Sequence, residues 1–202
     1  MMIKPDRVDR VLRALDRELA LQGSPPVSLV VIGGAALNVL GLVERTTRDV
    51  DVLCGIESSG DNIRLVRLRE FPPTLQTAAQ RVQEAFQLSA NWLNLGPASQ
   101  FDLGLPEGFE HRLIRKTYGN HLTVYLASRL DQIHFKLFAS VDRGGYHVAD
   151  LQALHPSPDE LEQAARWVLQ LDVSEVFRII LFDFLRKHGY ANVVGRLQNN
   201  PA

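Results

Sequence analysis

The chain has 202 residues, 46% of them apolar, and a formal net charge of −1. That length suits one good-sized domain or a core with a small appendage, and near-neutrality excludes a strong overall field for nucleic acid or an anionic membrane. The single cysteine, Cys54, excludes an internal disulfide framework and fits a reducing cytoplasm.

Charged residues Lys4, Asp6, Arg7, Asp9 and Arg10 interrupt any apolar signal core. No stretch reaches the ~20 apolar residues of a membrane span, so a cytoplasmic protein is expected. Residues 5–21 read as an amphipathic helix, with Val8, Val11, Leu12, Leu15 and Leu19 at helical spacing and Pro5 in the first turn. Gly23-Ser24-Pro25-Pro26 ends it. Residues 29–32, an apolar and largely β-branched run, predict a buried strand. Gly33-Gly34 closes the strand, Ala35, Ala36, Leu37, Val39 and Leu40 form a short helix, and Gly41 stops it. Arg45-Thr46-Thr47-Arg48 then leads into a second strand, Asp49-Val50-Asp51-Val52-Leu53.

Alternation along that second strand places Asp49, Asp51 and Leu53 on one face, with Val50 and Val52 on the other. Carboxylates two residues apart lie roughly 6–7 Å apart at their Cα atoms, so their oxygens can converge on one divalent ion or two neighbouring ones. Hard cations such as Mg²⁺ take carboxylate oxygens and share them with substrate phosphates. The glycine turn supplies the complement: amides at a helix start bind anions, and glycine lets a phosphate come close. A tight turn and a solvated acidic face are the plainer readings of the same residues.

Gly33-Gly34, a short helix, then Arg45-x-Thr47-x-Asp49-x-Asp51 resembles the signature of the DNA polymerase β-type nucleotidyltransferase superfamily, and within it the small bacterial AbiEii-type toxins. The resemblance implies that Gly33 and Gly34 hold a nucleoside triphosphate. It implies that Asp49 and Asp51 are catalytic and bind Mg²⁺, as one ion or two. Arg45 and Thr47 match positions typical of the bacterial subgroup and are expected at the nucleotide. A third carboxylate on a neighbouring strand is also implied; Asp102 is one candidate and Glu110 another, while Asn91 and Asn94 are neutral where an acid is expected.

Residues 55–62, with Ser58-Ser59-Gly60-Asp61, read as a turn-rich loop bordering the site. Residues 63–69 have mixed periodicity; Arg64, Arg67 and Arg69 form either a solvated face or a small basic patch. Pro72-Pro73 opens a helix to residue 88, residues 91–94 read as a short strand, and residues 101–106 as loop or short strand. Strands are expected over 111–118 and 121–127, joined by Gly119-Asn120. Ser128 caps a largely apolar helix over 129–141. Lys136 within it either snorkels to water or reaches a phosphate as a point charge. By resemblance to the toxins, Lys136, Arg143 and Asp150-Leu151 form a related arrangement, with Lys136 at the nucleotide. Helices are expected from Pro158 and over 173–187, the latter capped by Gly189.

The expected fold is α+β: a nucleotidyltransferase-like mixed or antiparallel sheet flanked by helices (residues 1–127), with a helical C-terminal part (128–202) packed on that core. The expected activity is Mg²⁺-dependent transfer of a nucleoside monophosphate from an NTP to an acceptor hydroxyl on RNA, protein or a small molecule. A toxin paired with an antitoxin partner fits the resemblance. A catalytically inactive nucleotide-binding regulatory module is the alternative, and a scaffold that binds no nucleotide the plainest one. The histidines lack the H-E-x-x-H spacing of a zinc helix, and neither a G-x-x-x-x-G-K-[ST] loop nor a G-x-S-x-G elbow is present.

Overall fold

A computed structural model describes residues 2–59 and 62–199. The chain divides into two compact units, Met1–Ser128 and Arg129–Ala202.

In the first unit, a short 3₁₀ turn at Pro5–Arg7 leads into α1 (Val8–Leu21), whose Val8, Val11, Leu12, Leu15 and Leu19 are all buried, as their spacing predicts. β1 (Val27–Ile32) follows, then α2 (Gly33–Val39). β2 runs over Val50–Ser59 and β3 over Asn62–Val66. The expected loop at 55–62 is therefore corrected: Gly55–Ser59 continues the strand and pairs antiparallel with Asn62–Val66. Gly60 and Asp61 lie outside the described residues. Gly55 reads as a breaker, yet the ladder satisfies its backbone, and an added Cβ there would press on Leu68.

α3 (Pro73–Phe86) and β4 (Leu93–Asn94) come next, then α4 (Ala98–Leu103). α4 overturns the loop or strand expected at 101–106; Pro97 starts it and Gly104, at φ 113°, stops it. Residues Phe109–Arg112 form a 3₁₀ turn where strand was expected, and β5 is confined to Ile114–Thr117. β6 is Leu122–Leu126.

The sheet order is β3-β2-β1-β6-β5, with β4 beside β2. β1 is antiparallel to β2 and parallel to β6, and β4 is parallel to β2, so the sheet is mixed. One face joins α1 and α3 in the main core, through Leu29, Val31, Val50, Val52, Leu122, Val124 and Leu126. Two α1 carboxylates tie this layer to the β5–β6 hairpin. Asp16 Oδ1 accepts the main-chain N–H groups of His121 (2.9 Å) and Leu122 (2.8 Å). A Cβ at Gly119 would collide with the same carboxylate, which explains the glycine. Asp9 accepts the Tyr118 hydroxyl at 2.6 Å and Lys116 Nζ at 2.9 Å.

The second unit is helical: α5 (Arg129–Asp142), α6 (Tyr146–Ala153), α7 (Pro158–Leu171), α8 (Glu175–Lys187) and α9 (Ala191–Asn199). Ser157 and Glu160 form a reciprocal capping box at the start of α7. No helix among the described residues is long and apolar enough to cross a membrane.

Candidate functional site

The site grows from the crossing of two short pieces of backbone at the end of the β1–β2 pair. Ile32 ends β1 opposite Asp51, and Gly33 turns away at φ +72°, a left-handed conformation that a side chain disfavours. A Cβ at Gly33 would lie 2.8 Å from Asp51 Oδ2, so the Asp51 carboxylate fills the space that the glycine leaves. Gly34 does the same one residue on: its Cβ would lie 2.8 Å from Thr47 Oγ1 and 3.0 Å from an Arg45 Nη. The two adjacent glycines thus seat Asp51 on one side and Thr47 and Arg45 on the other.

Asp49 precedes β2 and Asp51 lies inside it, both half-buried, while Val50 and Val52 enter the core between them. The two acids accordingly point away from the α1–α3 layer. The alternation stops at Leu53: Val30 pairs with Cys54 and Val31 with Val52, so Leu53 is the extra residue of a β-bulge. Leu53 is fully buried, in place of the shared acidic face expected for it. Bulges beside functional sites commonly re-aim neighbouring side chains.

Burial holds the Asp49 carboxyl above its ordinary value, against the opposing pull of the Arg48 and Arg45 charges. The Arg45 guanidinium therefore reaches both Gly34 and the field of Asp49. The Asp49 carboxylate accepts no hydrogen bond and forms no close ion pair among the described residues. A half-desolvated carboxylate of this kind gains from a cation. Together with Asp51, two hard oxygen donors beside a turn stripped of side chains fit a Mg²⁺ ion shared with a phosphate group.

The supports come from positions far away in sequence. Thr47 is buried; its hydroxyl donates to the Asp49 carbonyl at 3.1 Å. Its main chain pairs with Ile3 in both directions, at 2.7 and 2.9 Å, and Ile3 itself is buried. Asn38 on α2 brackets Arg45, donating to its carbonyl (2.9 Å) and accepting its N–H (3.4 Å). Asn94 on β4 donates to Asp51 Oδ1 at 3.3 Å. Ile3 and Asn38 were not legible as site residues; neither carries a charge, and their partners lie on other elements. In sequence Asn94 shows only as a neutral residue where an acid is expected.

Asp102 stands on α4, and both of its oxygens face Arg67 Nε, at 2.9 and 3.1 Å. Glu110 lies in the 3₁₀ turn, 3.4 Å from His111. Among the described residues no group of three or more His, Cys, Asp or Glu side chains is arranged to hold a metal. Arg64 pairs with Glu57 across the β2–β3 ladder. With Arg67 on Asp102, the solvated reading of that basic run is the better one. Burial pushes the Cys54 thiol up to about 12, which suits an inert core residue.

Lys136 belongs to the second unit. It is 5% exposed and forms an ion pair with Asp150 at 2.7 Å, so it does not snorkel to water. Tyr146 lies with its ring 5.8 Å from the same ammonium.

Residues 10–153 match the family described as nucleotidyltransferase of unknown function (DUF6036). Among solved structures, the chain is similar to the crystal structure of an antigenic nucleotidyltransferase-like protein from Paracoccidioides brasiliensis, with 16% identity, 93% of this chain and 91% of that chain covered, and a TM-score of 0.44. No curated protein matches.

Proposed function

The chain belongs to the DUF6036 family of nucleotidyltransferases of unknown function, and from that premise we propose that it moves a nucleoside monophosphate from an NTP to an acceptor hydroxyl. The observation that carries the reading is the Asp51 carboxylate seated against Gly33, 2.8 Å from where a Cβ would stand. A triphosphate accommodated at the turn would meet the acidic pair directly. Asp49 and Asp51 would hold Mg²⁺, which when bound neutralises phosphate charge. Gly33 and Gly34 admit the phosphates to the backbone, and Arg45 adds a fixed positive charge beside Gly34. Thr47 orients Asp49 through its carbonyl. The acceptor hydroxyl gives up its proton to solvent as its oxygen bonds to the α-phosphorus, the bond from that phosphorus to the bridging oxygen breaks, and pyrophosphate leaves. Rate enhancement then comes mainly from positioning and charge stabilisation.

The AbiEii-like assignment, an RNA or protein acceptor and an antitoxin partner rest on the resemblance of the Arg45–Asp51 stretch. A contribution from Lys136 to triphosphate binding rests on the resemblance alone. Incubation with each α-labelled NTP, Mg²⁺ and total RNA or protein tests transfer. Label incorporated by the parent and lost in Asp49→Asn supports the enzyme.

A second reading is favoured by one specific feature: Asp102 is held by Arg67, and no third acid joins Asp49 and Asp51 among the described residues. Two carboxylates can bind a Mg²⁺–nucleotide while acceptor activation is missing. That regulatory module binds Mg²⁺–NTP in calorimetry and incorporates no label; an absence of binding points to the scaffold.

A further inference from the structure

β4 is only two residues long, and both of them pair with the start of β2: Val50 with Leu93 and Asp51 with Asn94. Laterally paired residues in a sheet project to the same face. Asn94 therefore stands beside Asp51, and its side chain is fixed at both ends. The main-chain N–H of Gly96 donates to Asn94 Oδ1 at 2.7 Å. A backbone N–H can only donate, so the amide oxygen must face Gly96 and the NH₂ must face the strand. There it donates to Asp51 Oδ1 at 3.3 Å. Gly96 is required for this closure, because a Cβ at that position would lie 2.7 Å from Asn94 Oδ1.

The relay runs Gly96 N–H to Asn94 to Asp51, and it ends on the carboxylate whose other oxygen lies against Gly33. We propose that Asn94 is the positioning residue of the acidic pair. Its amide fixes the plane of the Asp51 carboxylate without bringing a positive charge that would compete with a cation. Being an amide, it also keeps the number of acids at this corner at two. An aspartate at position 94 keeps the bond from Gly96 and turns an oxygen toward Asp51, which converts the positioning residue into a third ligand. This inference rests on the reading of Asp49 and Asp51 as a metal–nucleotide site.

The test uses the full chain and two probes: Mn²⁺ alone, followed by electron paramagnetic resonance, and Mg²⁺–ATP, followed by calorimetry. Asn94→Ala is expected to weaken Mn²⁺ binding by about 10–100-fold, the usual loss when the partner of a metal ligand is removed. Gly96→Ala reproduces that loss in the same direction with Asn94 intact, by displacing the amide. Asn94→Asp is expected to bind Mn²⁺ more tightly than Asn94→Ala and at least as tightly as the parent. A merely structural Asn94 would lower the melting temperature in all three variants alike and leave the order of Mn²⁺ affinities flat. Mn²⁺ binding unchanged in Asn94→Ala and Gly96→Ala overturns the inference while a binding parent keeps the functional reading. So does an Asn94→Asp variant as weak as Asn94→Ala. A parent that binds neither probe overturns both.

Discussion

Replacing Gly33 with alanine separates what the turn does for the fold from what it does for the site. Gly33 has φ +72° and Gly41, at the other end of α2, has φ +66°. Alanine in that region costs about 1–2 kcal/mol, partly offset by about 0.4–1 kcal/mol from a less flexible unfolded chain. A net loss of about 1 kcal/mol lowers Tm by about 2–4 °C in a chain of this size, and the two variants should share it. Their surroundings differ. Nothing lies within 4 Å of a Cβ at Gly41, whereas at Gly33 the Cβ would stand 2.8 Å from Asp51 Oδ2, well inside the 3.4 Å where ordinary contact begins. The carboxylate must give way by about half an ångström, and on a scale where 1 Å of misplacement costs about 100-fold, that is about tenfold. Thermal melts and calorimetric titration with Mg²⁺–NTP read the two effects separately. Gly33→Ala should lose about tenfold in affinity on top of the shared loss of Tm; Gly41→Ala should bind as the parent does. Equal binding losses in both variants, or none in Gly33→Ala, would refute the reasoning.

The N-terminal bridge should matter to the site: removing residues 1–4 takes away the Ile3 carbonyl that accepts the Thr47 N–H at 2.9 Å, and hydrogen exchange at Thr47 should speed up sharply; unchanged protection there would count against this. Breaking the buried Lys136–Asp150 pair with Lys136→Met should cost about 3–5 kcal/mol by urea denaturation, and adding Asp150→Leu should recover much of it; a single-variant loss under about 1 kcal/mol would mean the pair is solvated. At Asp9, burial raises the pKa but the bonds from Tyr118 and Lys116 outweigh it, so the carboxyl sits below its ordinary 3.8. A depressed folded value stabilises the fold above pH 3.8 and ceases to do so as pH falls through the folded value. Asp9→Asn should therefore cost about 0.5–1 kcal/mol at pH 7, an amount limited by solvent screening, and the gap to the parent should close in acid; a gap that widens below pH 3.8 would reverse the sign.

The parts of the site that were legible in sequence are those whose spacing is local. Gly33-Gly34 and Asp49-Val50-Asp51 carry their geometry in a glycine turn and a period of two, and the structure seats Asp51 against Gly33. Ile3 and Asn38 become site residues only through partners 44 and 7 positions away, Thr47 and Arg45, and Asn94 through Asp51, 43 positions away. Sequence spacing carries no signal for such pairings. The strand past Gly55 is hidden in sequence because glycine reads as punctuation, while its ladder partners, Asn62–Val66, supply the missing order. α4, six residues long, is too short to display a helical period. Lys136 stands out in sequence as a charge within an apolar helix; periodicity alone does not pair it with Asp150, which answers it from α6.

The most direct test of the acidic pair is calorimetric titration of NTP, with and without Mg²⁺, into the parent, Asp49→Asn and Asp51→Asn. The account predicts that the parent binds only with Mg²⁺ and that each variant loses at least about tenfold, a difference of about 1.4 kcal/mol. Asp49→Asn should melt no lower than the parent at neutral pH, because burial penalises the charge it removes. Binding that ignores Mg²⁺, or variants that bind as tightly as the parent, would contradict it.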